Sequence, residues 1–117
     1  MSDSVVFDPS VLDGLRKFGQ ADFIAKMIEI FEQSTEPVPG EIVHLMAAKD
    51  WDGVAFAAHS LKSGCGSLGL VRLTDFSGEL ENAAKRSDET AAKGLVAQLP
   101  LLYGLSCKAL KGYLAGG

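Results

Sequence analysis

The sequence predicts an all-α protein, an antiparallel up-and-down four-helix bundle with an additional short N-terminal helix. No segment keeps the apolar–polar alternation of a half-buried strand, and apolar residues recur instead at helical spacing. The segments between these apolar runs are short, so consecutive helices are expected to lie antiparallel. The 117 residues suffice for one hydrophobic core, and we expect a single domain over residues 1–117.

The N-terminal helix is predicted to begin at Asp8-Pro9. Asp can cap a helix, and Pro loses no hydrogen bond at the first helical position. Phe18 is the last of its apolar positions, and Gly19 is the predicted stop. A second helix begins near Ala21, and its apolar side is formed by Phe23, Ile24, Met27, Ile28 and Phe31.

The segment 36–40 contains Pro37 and Pro39 and interrupts this second helix. Either the helix kinks there, or a new helix begins and continues to Lys49. Its apolar positions would be Ile42, Leu45 and Met46.

Three further helices complete the predicted bundle. Asp50 can cap a helix that runs from Trp51 to about Leu68, with Gly69 as its end. A helix over 71–86 places Glu81 and Lys85 as an i,i+4 pair on its outer side. The last helix spans about 90–114, where Pro100 should bend it because proline removes one backbone hydrogen bond.

Residues 58–69, AHSLKSGCGSLG, admit two interpretations. Their glycines match the letters of a dinucleotide-binding turn, but such a turn needs a preceding strand. On a helical wheel, one apolar seam runs straight through these glycines, with its members within about 40° of one another. That seam consists of Val54, Ala58, Leu61, Cys65 and Leu68. The segment is therefore predicted to be helical.

His59 lies on the outer face of this helix, about 140° from the centre of the seam. Lys62 follows one turn later, and Ser63 and Gly66 leave bare surface around the imidazole. Each glycine inside a helix costs about 0.5–1 kcal/mol relative to alanine, so the small residues suggest the close approach of another macromolecule. A lone surface histidine often has no role, and the residues alone leave that alternative open.

Composition and the remaining reactive residues exclude several function classes. The net charge of −4 and the absence of a Lys/Arg cluster give no reason to expect nucleic acid. The longest uncharged stretch, Gly94–Cys107, is too short to span a bilayer. Cys65 and Cys107 are too few for a disulfide framework, so a cytoplasmic setting is expected. His44 and these cysteines lack zinc-ligand spacing. A structural or surface role is expected for His44, and a buried, inert thiol for Cys65.

The segments AHSLKSGCGSLGLVRL (58–73) and GELENAAK (78–85) resemble the histidine-containing phosphotransfer (HPt) domain of multistep two-component phosphorelays. The residues that carry this resemblance are His59, Leu61, Lys62, Gly69 and Leu80-Glu81. It extends over roughly residues 8–112. One position departs from the family pattern: Ser63 stands where a glycine is usual. A different partner selectivity is the expected consequence.

The resemblance implies that His59 accepts a phosphoryl group from a receiver-domain aspartate and passes it to another. Lys62 would stabilise charge on the phosphate. Response-regulator receiver domains are the implied partners, together with a hybrid sensor kinase. Mg²⁺ is expected from the receiver, and this chain is expected to bind no cofactor. No ATP-binding motif is present, so a relay without kinase activity of its own is expected. The chain is also expected to be a monomer.

The docking surface for a receiver is predicted around His59, at Phe56, Ser63, Gly66 and Ser67. Phe56 has a second interpretation, packing against the kinked second helix. Two other functions stay open at this stage. The same surface could serve a helical binding module, an anti-adaptor or scaffold, although such a module needs neither His59 nor Lys62. A metal, redox or nucleotide-dependent enzyme is the third class.

Overall fold

The computed structural model describes residues 6–17 and 21–116, and within them the chain is helical without strands. The helices are α1 (Ser10–Arg16), α2 (Ala21–Thr35), α3 (Val38–Ala47), α4 (Trp51–Ser67), α5 (Val71–Lys85) and α6 (Glu89–Gly116). The predicted all-α bundle is confirmed. No helix in the described residues is long and apolar enough to cross a membrane. The predicted end of the first helix at Phe18 and Gly19 lies outside the described residues.

The interruption after α2 starts a new helix, so the second of the two alternatives is correct. The Glu36 amide donates to the Glu32 carbonyl at 2.9 Å, which completes the last turn of α2. Pro37 and Pro39 have no N–H to continue this pattern. It resumes where the Glu41 amide donates to the Pro37 carbonyl at 3.0 Å. Together α2 and α3 occupy one position of the bundle, beside α4 and α6.

Three helices end in the same hydrogen-bonded motif, in which the residue after the cap adopts a left-handed conformation. These residues are Lys49 (φ 56°), Gly69 (φ 78°) and Ser87 (φ 54°). At the end of α5, the Ser87 amide donates to the Ala84 carbonyl and the next amide donates to the Ala83 carbonyl, both at 2.9 Å. The predicted stop at Gly69 is thereby confirmed. Each of these helix ends lets the chain reverse direction within a few residues, so that consecutive helices can pack against each other.

The apolar seam predicted for α4 is buried throughout. Its five residues are each at most 2% exposed and face the shared core of the bundle. On α2, Ile24, Ile28 and Phe31 of the predicted apolar side are buried, whereas Phe23 is 53% exposed. Phe23 lies about 100° from the centre of the buried residues on the helical wheel. The part of the α2 surface that neighbouring helices cover is narrower than its apolar side, so Phe23 stays outside it.

The segment before α1 is tied to the end of α4. The Asp8 amide donates to the Gly69 carbonyl at 2.8 Å. A Cβ at Gly69 would collide with the backbone oxygen of Asp8, so glycine satisfies both the left-handed turn and this close approach. At the other end of the chain, the Tyr113 hydroxyl donates to Asp13 at 2.7 Å. The α1 helix is thus held both to the α4–α5 turn and to α6.

The left-handed Ser87 yields a stability prediction. Replacing Ser87 with glycine should stabilise the fold by about 0.5–1 kcal/mol, because a side chain is strained in this conformation. We expect the melting temperature to rise by about 2–5 °C. Ala97→Gly, at an exposed position inside α6, is the control and should lower stability by a similar amount. A Ser87→Gly protein that melts at or below the wild-type temperature would contradict the prediction.

Candidate functional site

The α4 helix carries the central residue of the site, His59, in its middle turns. Its first turn is capped by Asp50, whose side chain accepts a hydrogen bond from the Gly53 amide at 3.0 Å. The helix continues through Gly64 and Gly66 and ends at Ser67. The helical prediction for this segment is confirmed, and the dinucleotide-turn interpretation is wrong because Gly64 and Gly66 lie inside a helix.

The imidazole of His59 is exposed on one side and held on the other. Its side chain is 57% exposed, and its Nδ1 lies 3.2 Å from Glu81 Oε2 on α5. An ionised carboxylate only accepts hydrogen bonds, so Nδ1 carries the proton and donates a hydrogen bond to Glu81. In the neutral ring, Nε2 therefore holds the lone pair. Nε2 is thus the ring nitrogen that is free to act as a nucleophile.

Glu81 is the buried centre of this site, although the sequence placed it on the outer side of α5. Its side chain is only 8% exposed, so that placement was wrong, while its pairing with Lys85 is confirmed at 3.0 Å. Lys62 Nζ contacts the second carboxylate oxygen at 3.2 Å. A helical wheel of α5 alone cannot reveal this burial, because Glu81 is covered by a different helix, α4, and by its Lys62 side chain.

These partners keep Glu81 ionised. The pKa of Glu81 is lowered from the usual 4.5 to about 2, and the hydrogen bond from Lys85 is the largest cause. The hydrogen bonds from Lys62 and His59 lower this pKa further, whereas burial of the carboxylate raises it. The site therefore holds a carboxylate charge across the physiological range. This permanent negative charge beside Nδ1 defines the tautomer of His59.

Lys62 reaches the carboxylate by crossing α5 at a glycine. A Cβ at Gly78 would lie 3.5 Å from Lys62 Cδ, so the aliphatic stem passes close to the backbone there. The ammonium group is thereby placed on the same carboxylate as His59 Nδ1. Lys62 is thus near the imidazole, as the sequence predicts, but it is paired within the protein. Its role toward phosphate stays a prediction.

The outer face of α4 around His59 is open. Phe56 is 74% exposed, so its packing against another helix is not observed. A Cβ at Gly66 would have no heavy atom within 4 Å, whereas one at Gly64 would contact the Phe31 ring at 3.6 Å. Ser63 and Ser67 are also exposed on this face, and the Ser67 hydroxyl donates to the Ser63 carbonyl at 3.3 Å. Gly64 thus serves packing, while Gly66 lies on the solvent-facing surface beside His59.

The other reactive side chains lie apart from this site. His44 is exposed on α3. Burial raises the pKa of the Cys65 thiol to about 12, and it also raises the pKa of Cys107. Among the residues described, no three His, Cys, Asp or Glu side chains form a group that could hold a metal ion.

Lys85 was not predicted as part of the site. Its i,i+4 relation to Glu81 was visible in the sequence, but the burial of that carboxylate was not. The link from Lys85 to His59 therefore depends on the way α4 and α5 pack together.

The lowered pKa of Glu81 gives a pH-dependent stability prediction. Its ionised form stabilises the native state above about pH 4.5, and this contribution should disappear as the pH falls toward 2. The difference in unfolding free energy between wild type and Glu81→Gln should thus be largest at neutral pH and shrink across this range. Denaturant unfolding at several pH values measures it. Glu79→Gln, exposed on the same helix, is the matched control, and a difference independent of pH would refute the prediction.

Comparisons with known proteins address the fold and the family. Curated proteins give no match to this sequence. Among solved structures, the chain is similar to the crystal structure of histidine-containing phosphotransfer protein B (HptB) from Pseudomonas aeruginosa PAO1. The TM-score is 0.85 over 96% of each chain, at 22% sequence identity, which shows a shared fold. The family model of the Hpt domain matches residues 26–110. The chain therefore belongs to the Hpt domain family.

Proposed function

We propose that this chain carries a phosphoryl group on His59 Nε2 between the aspartates of response-regulator receiver domains. Membership of the Hpt family supports a histidine phosphotransfer role in phosphorelays. The observation that carries the residue assignment is the His59–Glu81 pair. The carboxylate fixes the proton on Nδ1 and leaves the Nε2 lone pair free, and the His59 side chain lies on an exposed, uncrowded face of α4.

The transfer needs little chemistry from this chain beyond a nucleophile and its orientation. The Nε2 lone pair attacks the phosphorus of the phosphoaspartate, forming an N–P bond while the P–O bond to the carboxylate breaks. The bonding electrons leave with that carboxylate. The imidazole gains positive charge in this step, and the Nδ1–H···Glu81 hydrogen bond stabilises it. The reverse sequence delivers the phosphoryl group to the next receiver.

Lys62 supplies the nearby positive charge in this proposal. Its ammonium group rests on Glu81 Oε1 and is half-buried. A small rotation of the flexible stem would let it pair with phosphoryl oxygens as negative charge gathers there. We propose that Mg²⁺ comes from the receiver, where the acyl phosphate resides. This chain would act as a cofactor-free, monomeric carrier, and a hybrid sensor kinase would be a further partner.

The docking surface proposed for the receiver is the face formed by Phe56, Ser63, Gly66 and Ser67. Phe56 provides an exposed apolar ring one turn before His59. Such a ring gains free energy when a partner removes it from water. Gly66 and Ser63 place no bulky side chain beside the imidazole, which lets His59 Nε2 and the phosphorus of the phosphoaspartate meet. Ser63 adds a hydroxyl at this surface, and it is a candidate for selecting among receivers.

The phosphorylation site can be tested directly. After incubation with a phosphorylated receiver, the wild-type chain should carry an acid-labile and alkali-stable phosphoryl group. His59→Gln should abolish labelling, and His44→Gln, which changes the other histidine of the chain, should leave it intact. Labelling of His59→Gln at the wild-type level would disprove the assignment. Binding of a receiver without any transfer would favour the binding-module function.

The open surface at Gly66 predicts opposite effects on stability and transfer. Gly66→Gln should raise helix stability by a few tenths of a kcal/mol or more, because glycine is a poor helix former. It should slow single-turnover transfer by about tenfold or more, since a misplacement of about 1 Å is costly in such reactions. Gly104→Gln, equally open on α6, is the control and should show only the gain in stability. If Gly66→Gln melts lower and transfers normally, the docking face has been misplaced.

A further inference from the structure

Lys85 and His59 share one oxygen atom of the buried carboxylate. Lys85 Nζ lies 3.0 Å and His59 Nδ1 3.2 Å from Glu81 Oε2, while Lys62 Nζ takes Oε1. Lys85 reaches this atom from one turn along α5 and remains 62% exposed. Nothing in the proposed transfer step uses Lys85. Its position on the oxygen that orients the nucleophile nevertheless links it to the reaction.

The charge balance of this cluster shows what Lys85 can do. One carboxylate faces two ammonium groups, so its negative charge is largely compensated before His59 is considered. Without Lys85, Oε2 would interact with the imidazole alone. An uncompensated carboxylate favours the doubly protonated imidazolium, and that form has no lone pair on Nε2. Lys85 therefore opposes the protonation that would inactivate the nucleophile.

The other charged groups near His59 do not duplicate this effect. On α4 itself, Lys62 uses the other carboxylate oxygen and Asp52 is exposed two turns earlier. The α3 helix also packs on α4, and its ionisable side chains Glu41 and His44 make no hydrogen bond or ion pair with His59 in the described structure. Lys85 is thus the second cation on the carboxylate that His59 uses.

We propose that Lys85 is a positioning residue for phosphoryl transfer, which holds Glu81 Oε2 and so keeps the His59 imidazole neutral with its proton on Nδ1. This inference rests on the proposed function of His59. Lys85 acts through Glu81 and touches neither the reacting nitrogen nor the incoming phosphorus. The same contact also keeps the pKa of Glu81 low, because the hydrogen bond from Lys85 is the largest cause of that lowering.

The pH profile of transfer distinguishes this role from a purely structural one. We expect Lys85→Met to shift the acidic limb of the single-turnover rate profile to higher pH by about half a unit, from the loss of one nearby charge. The rate should fall about threefold near pH 6 and change little near pH 8.5. Lys85→Arg retains the charge and should restore the wild-type profile. Lys93→Met removes the i,i+4 partner of Glu89 on α6 and is the matched control, with no shift expected.

A second measurement does not depend on any receiver. The ring-proton NMR signal of His59 in the free protein should follow pH with its titration curve displaced to higher pH in Lys85→Met, and not in Lys93→Met. Coincident curves in wild type and Lys85→Met would overturn the inference. So would a rate loss that is equal at every pH, since that outcome would place Lys85 at the phosphoryl group or the docking surface. Failure of the proposed function would appear differently, as a wild-type chain that accepts no phosphoryl group.

Discussion

The ionised carboxylate of Glu81, buried between α4 and α5, is the constraint on which the site depends. A charge removed from water must be paired and hydrogen-bonded, and here Lys62, Lys85 and His59 meet that requirement. The partners come from both helices, so the pairing also fixes the register of α4 against α5. One electrostatic requirement therefore determines the orientation of the imidazole and the position of the nearest cation.

Steric openness is the second requirement, and the glycines near the site supply it in distinct ways. Gly78 lets the stem of Lys62 cross α5, and Gly64 contacts the ring of Phe31. Gly69 permits both the left-handed turn after α4 and the approach of the N-terminal segment. Gly66 alone in this group borders open space. Gly64 and Gly66 lower the intrinsic stability of α4, and the well-packed seam beneath them offsets that loss.

The division of tasks in the proposed reaction follows from this construction. The chain offers a neutral nitrogen nucleophile, a carboxylate that accepts a hydrogen bond from the Nδ1–H of the same ring, and a flexible ammonium group. Phosphoryl transfer depends mainly on positioning and on compensation of charge, so these groups suffice on one side of the complex. The partner would bring the acyl phosphate and the metal. A rigid helix face, rather than a pocket, is the suitable surface for such an exchange.

Helical periodicity was sufficient to predict the helical class, the buried seam of α4 and the outward position of His59, because it relates each residue to the axis of its own helix. It also indicated Lys62 and Gly66 as neighbours of the imidazole. Contacts between helices were needed to show that Glu81 is buried, that Phe23 is exposed and that Lys85 belongs to the site. Burial depends on which neighbouring helix covers a residue, and that information is not contained in the periodicity of a single helix. His59, Lys62 and Lys85 can share the Glu81 carboxylate only because α4 packs against α5, which brings side chains distant in sequence together.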